Sequence, residues 1–259
     1  MNYGELNFDE LKTLAENGDV GAMVTLADVI REYHISKNNL YDAWIQSLPW
    51  YEKAGSQGDA SSIFMALDIH DSLCSVKKAS GNWIELEKEC AAVTRCIVNL
   101  VSLIGPEILN DEEINLPQYR DRCRYYRAVA YDRQGRHEEA YTALKDMGDG
   151  CNPIVPIFLA HVLIGLKRYD EIYDTLRFLE ESPERVLNAG YDSDDENIKA
   201  SGFIYLSIHY RSNVHDEKRA YEVLQTGLNI VKTEDARSLI RNEIGHYKQK
   251  MFGGYEYRP

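Results

Sequence analysis

The chain has 259 residues, 44% hydrophobic and 27% charged, with a formal net charge of −13. That length allows one large domain, two small ones or an extended repeat array, and the apolar share is too high for a disordered chain. The acidic balance argues against nucleic acid, whose phosphates demand a positive footprint; no apolar run nears the ~20 residues of a bilayer span and no leader-like segment is visible. A cytoplasmic protein with no nucleic-acid and no membrane partner is expected.

In chain order, the helical period comes first. Phe8, Leu11, Leu14 and Ala15 share one stripe, as do Ala22, Leu26, Val29 and Ile30. Gly18-Asp19 follows the first run and Gly58-Asp59 follows another, 40 residues later. Glycine suits the left-handed residue that ends a helix, and aspartate suits the cap of the next. Each pair therefore reads as a two-residue corner between helices, and the fixed period predicts helix-pair repeats. Residues 83–104 read as one long helix, 104–117 as an irregular zone, and 182–197 as an insertion. Tyr221–Val231 and Ser238–Tyr247 continue the helical pattern. No alternating strand stands out.

The stretch Trp50-Tyr51-Glu52-Lys53-Ala54, followed by Gly58-Asp59-Ala60, resembles Sel-one-like repeats, a subclass of the tetratricopeptide class. The resemblance covers roughly residues 8–75, with Gly55 and Ser61-Ser62 as departures. Residues 118–231 resemble ordinary tetratricopeptide repeats through Ala128, Tyr131, Gly135, Ala140 and Leu144, then Ala160, Leu163, Tyr169 and Leu176, then Ser207, Tyr210, Ala220 and Leu224. Arg124 and Arg127 depart from apolar positions of that pattern, and Ile172 replaces a small residue. The resemblance implies an all-α, right-handed α-solenoid of antiparallel helix pairs. Its halves are expected at 1–105 (Sel-one-like) and 106–259 (tetratricopeptide-like, with a capping helix and tail), stacked as one solenoid.

Catalytic chemistry is hard to find. There is no phosphate-cradling glycine loop, no Gly-x-Ser-x-Gly elbow, no His-Glu-x-x-His and no Cys-x-x-Cys. The five cysteines are odd in number and widely spaced, so reduced, mostly buried thiols are expected. Asp192, Asp194 and Glu196 alternate as calcium ligands do, but Asn197 and Phe203 stand where glycine and glutamate are required. That segment reads as a solvated acidic loop capping the next helix. No enzyme activity, cofactor or metal is expected.

Against the acidic background, Arg120, Arg122, Arg124, Arg127, Arg133 and Arg136 crowd into 17 residues. They read either as a solvated face paired with nearby carboxylates or as an anion-facing surface. In the tetratricopeptide pattern the first helix of each pair lines a concave groove. The resemblance then puts Arg122, Tyr125, Tyr126, Val129 and Arg133 there, with Phe158 and His161 from the next repeat and Tyr205, Ile208 and Arg211 from the last. Tyrosine and arginine dominate interface hot spots, and arginine grips carboxylates bidentately.

The resulting expectation is an adaptor that binds a peptide or helical segment of a partner protein, with an acidic or C-terminal carboxylate segment as ligand. The alternative is a regulatory or immunity-type protein neutralising a basic partner through its acidic surface. The tail, with Gly253-Gly254 before Tyr255 and Tyr257, is expected either to cap the last helix or to offer a linear motif.

Overall fold

A computed structural model describes residues 2–147, 151–192, 195–249 and 255–258. Thirteen helices run through them: α1 (Phe8–Glu16), α2 (Val20–Ser36), α3 (Leu40–Gly55), α4 (Ala60–Ala79), α5 (Trp83–Ile104), α6 (Leu116–Arg133), α7 (His137–Leu144), α8 (Ile154–Gly165), α9 (Ile172–Leu176), α10 (Phe178–Glu181), α11 (Asp195–His209), α12 (Glu217–Ile230) and α13 (Glu234–Ile244). The long helix expected at 83–104 is present with those bounds. The chain divides into two compact units, residues 1–126 and 127–259, the division falling inside α6. Within each, successive helices pack as solenoid-like pairs: α1 to α5 each on its chain neighbour in the first, α7 on α8 and α11 on α12 in the second.

The corners explain the packing. Gly18 and Gly58 have φ of 100° and 91°, in the left-handed region. The next amide then reaches back to a carbonyl of the finished helix, Asp19 N–H to Leu14 O at 3.1 Å and Asp59 N–H to Ala54 O at 3.3 Å. Each aspartate carboxylate in turn accepts from the third helical amide of the next helix, Ala22 at 2.8 Å and Ser62 at 2.7 Å. Two further corners were not read from the sequence. At Asn38-Asn39 and Gly81-Asn82 the first residue is left-handed and the asparagine caps the following helix. Asn38 escapes notice because it does glycine's work with a side chain, one of the few residues that tolerates φ of 56°.

Small residues at the helix contacts behave as the repeat pattern implies. Ala128, Ala140, Ala160, Ser207 and Ala220 are all fully buried, and Ile172 nearly so. Ala140→Leu should therefore overpack the second unit and destabilise it by about 1–3 kcal/mol; an unchanged melting temperature would reject this register. Two glycines missed by the pattern matter as much: a Cβ on Gly227 would lie 2.6 Å from the Phe203 ring, and one on Gly202 would lie 2.8 Å from Ile157.

Two expectations need correction. A strand is present: Tyr247–Gln249 (β1) pairs antiparallel with Tyr255–Tyr257 (β2). The acidic loop is not simply solvated. Asp195 and Glu196 are buried; Asp195 accepts from the Tyr191 and Asp192 amides, and Glu196 pairs with buried Lys199 at 2.5 Å. Asp195 satisfies two amides of the loop itself, and Glu196 also accepts from the Lys232 amide at 2.6 Å, so both carboxylates meet backbone donors. Asp194 lies outside the described residues. The cysteines are mostly buried, as expected: Cys74, Cys90, Cys96 and Cys123 are inside, Cys151 is half-buried, and none is in a disulfide.

Candidate functional site

In the second unit, side chains from four helices form one chain that ends on a carboxylate. Asp132 closes α6, and Gly135 turns the chain so that His137 opens α7 with its Nδ1 3.0 Å from Asp132 Oδ1. α8 brings the Nε2 of His161 to 3.4 Å from the other oxygen. α11 brings the Tyr205 hydroxyl to 3.0 Å from His161 Nδ1. Phe158, one turn back on α8, stacks on the His161 ring with centroids 5.6 Å apart. With Tyr205 donating to Nδ1, His161 donates from Nε2 to Asp132, which gives one consistent donor chain.

Electrostatics make this a holding network. Burial works against the Asp132 charge, but the hydrogen bonds from His161 and His137 outweigh it and keep the carboxyl below its usual range. Burial pushes the Tyr205 phenol above its ordinary value, so it stays protonated and donates. A nucleophilic phenolate would require the opposite shift.

Beside this chain opens an apolar hollow of about 420 Å³, lined by Ile164, Tyr169, Ile172, Tyr205, Ile208 and His209. Tyr169 and Ile208 are 55% and 37% exposed, so apolar groups face solvent here. His209 stacks on Tyr173 with centroids 4.5 Å apart, and burial holds its imidazole below the ordinary value, favouring the neutral ring.

The ten predicted groove residues divide sharply. Phe158, His161 and Tyr205 form the stack, and Tyr205 and Ile208 line the hollow. Tyr125, Tyr126, Val129 and Phe158 are buried core, at most 5% exposed. In the first unit Lys78 lies over the Tyr125 and Tyr126 rings, and Arg122 is clamped by Asp71. Arg133 is exposed at the end of α6. Arg211 bonds Glu243 at 2.8 Å and stacks on Tyr257, 3.6 Å from the ring centroid. Of the remaining clustered arginines, Arg120 pairs with Asp121 and Arg136 with Glu139. Sequence reasoning missed Asp132, His137, Ile164 and His209. Only the Asp132–His137 pair, five apart across a glycine corner, had a local signal.

The first unit carries a separate buried cluster. His70 on α4 bridges Glu89 on α5 (2.6 Å) and Glu52 on α3 (3.2 Å), at a cavity of about 110 Å³ shared with Arg95, Cys96 and Asn99. Burial opposes the imidazolium, but the two carboxylates outweigh it and raise the His70 pKa to about 8.

Among the described residues no three His, Cys, Asp or Glu side chains are placed to hold a metal ion, and no helix is long and apolar enough to cross a membrane. Comparison with known proteins gives no match to a family model, a curated protein or a solved structure. The class defined by the fold is therefore the general one, a helical protein of solenoid-like helix pairs.

Proposed function

We propose that this is a non-catalytic, cytoplasmic interaction module of the tetratricopeptide and Sel-one-like type. It would capture a peptide or helical segment of a partner protein on the second unit. The observation that carries the reading is the hollow between α8, α9 and α11. It is apolar, open and built on helices, and it includes two residues expected on the groove, Tyr205 and Ile208. Such a cavity takes an apolar or aromatic anchor side chain, and the polar His161–Asp132 edge beside it orients the rest. Helical walls keep the reorganisation cost of binding low. An acidic residue beside the anchor fits the expected ligand class.

The test is Ile208→Asp. Ile208 is partly exposed, so the fold should tolerate the change within about 0.5 kcal/mol. A partner captured by the wild-type chain should bind the variant at least tenfold more weakly, with unchanged circular dichroism. Equal retention would move the binding surface elsewhere. The net charge of −13 favours a second reading, an immunity-type protein neutralising a basic partner. That complex would form at a rate falling steeply with salt and indifferent to Ile208.

A further inference from the structure

The C-terminal strand occupies a seat whose chemistry can be read residue by residue. β2 lies antiparallel on β1 with Tyr257 opposite Tyr247 and Tyr255 opposite Gln249. Alternation along a strand sends Tyr255 and Tyr257 to one side and Glu256 to the other. On that side Tyr255 stacks face to face on Tyr221 of α12, centroids 3.9 Å apart and planes 15° apart. Tyr257 lies on the Arg211 guanidinium and meets Tyr247 edge-on at 5.2 Å. Glu256 turns away and pairs with Arg258. Arg258 N–H bonds His246 O at 2.6 Å and closes the register.

We propose that this seat is a recognition site for an extended aromatic-x-aromatic segment of a partner protein, and that the chain's own Tyr255-Glu256-Tyr257 is its intramolecular occupant. The inference rests on the interaction-module reading and names the partner segment. Two observations carry it. The seat continues the proposed binding ridge: Arg211 follows Ile208 by one helical turn, while Ser212 and Asn213 beside it still line the hollow. The occupant is held by a three-residue strand and ring stacking, and both tyrosines remain half-exposed. An extended segment adding to β1 in place of β2 would make the same ladder, and its two aromatic side chains would meet Tyr221 and Arg211.

The experiment supplies the occupant in trans. A fluorescent peptide GGYEYRP, the chain's own last seven residues, is titrated by anisotropy into the full-length protein and into the full-length Tyr255→Ser/Tyr257→Ser variant. The variant, its resident strand weakened, should bind at least tenfold more tightly than wild type. Arg211→Ala in that background should abolish binding, as should the peptide GGSESRP. Equal affinity for wild type and variant, or binding to neither, would overturn the proposal. Native-state amide exchange on the unaltered protein guards against a misfolded variant. Tyr255 and Tyr257 amides should exchange at least a hundredfold faster than those of α12, and equal protection would overturn a displaceable strand. Light scattering adds a last arm. A wild-type dimer abolished by the tyrosine substitutions would give the seat to a second copy and overturn the partner-protein assignment. The peptide titration involves no partner of the hollow and Ile208→Asp is read only on such a partner, so failure of the hollow and failure of the seat read separately.

Discussion

Unfolding measured across pH should show the first unit losing roughly 2 kcal/mol between about pH 6.5 and 9, and His70→Gln should remove that loss. The group responsible is the His70 imidazole, raised from 6.5 to about 8. A base whose folded pKa exceeds its unfolded value binds its proton more tightly when folded. Its contribution is therefore complete below about pH 6.5 and disappears as pH rises through 8. The structural cause is that one buried ring links three helices: Glu52 on α3, His70 on α4 and Glu89 on α5. Deprotonation leaves a neutral ring between two carboxylates, of which Glu89 is only 16% exposed. In the acid direction the same bond matters through Glu52, whose carboxyl His70 holds below its usual range; that part fades as Glu52 protonates. Urea titrations at intervals of pH, together with the His70 Cε1 proton resonance, measure both. A ring titrating at or below 6.5 would refute the bridge.

Arg122→Glu should destabilise the first unit by about 3–5 kcal/mol, because it sets a carboxylate against a buried one. Asp71 is 7% exposed, and both its oxygens accept from Arg122, Nε at 2.9 Å and Nη2 more closely. The guanidinium also lies over the Tyr119 ring at 5.4 Å, while the Tyr119 hydroxyl donates to Asp68 at 2.8 Å. Burial opposes the guanidinium charge, yet the Asp71 carboxylate beside it raises its pKa, so it remains charged. Arg122→Lys keeps the charge but not the planar fork, and should cost only about 1–2 kcal/mol. Urea midpoints of the two variants give the comparison, and equal effects would refute the fork geometry. The consequence for function is direct. Loss of a partner by Arg122→Glu would report on folding of the first unit, so binding must be tested at exposed positions such as Ile208.

How the site was and was not legible follows from the same residues. The groove set rests on the tetratricopeptide resemblance, which assigns the first helix of each pair to a concave face. The resemblance puts Tyr205 and Ile208 on the same ridge, and they do share the hollow. It put Tyr125 and Tyr126 on the groove as well, but the neighbouring helix supplies Lys78 over both rings and Ser75 beside the Tyr126 hydroxyl. Which side of an amphipathic helix faces solvent depends on what packs next to it, and that partner lies about fifty residues away in the chain. The arginine cluster failed for a related reason. It was locally dense, but Arg122 answers to Asp71 on another helix, so density along the chain said nothing about free charge.

What the sequence by itself determined is local. Glycine and asparagine tolerate the left-handed corner, aspartate and asparagine accept orphan amides, and apolar period sets the helical stripe. These act within five residues, so the Gly18-Asp19 and Gly58-Asp59 corners and the long helix at 83–104 could be read directly, while the buried alanines were expected from the tetratricopeptide resemblance. Only the tertiary structure decided the Asp132–His161–Tyr205 chain, the His70 bridge and the seat of Tyr255 and Tyr257. Each joins residues far apart in sequence whose side chains meet only after helices have packed. Their protonation and exposure are set by that packing, because burial removes water and leaves the nearest charge to decide.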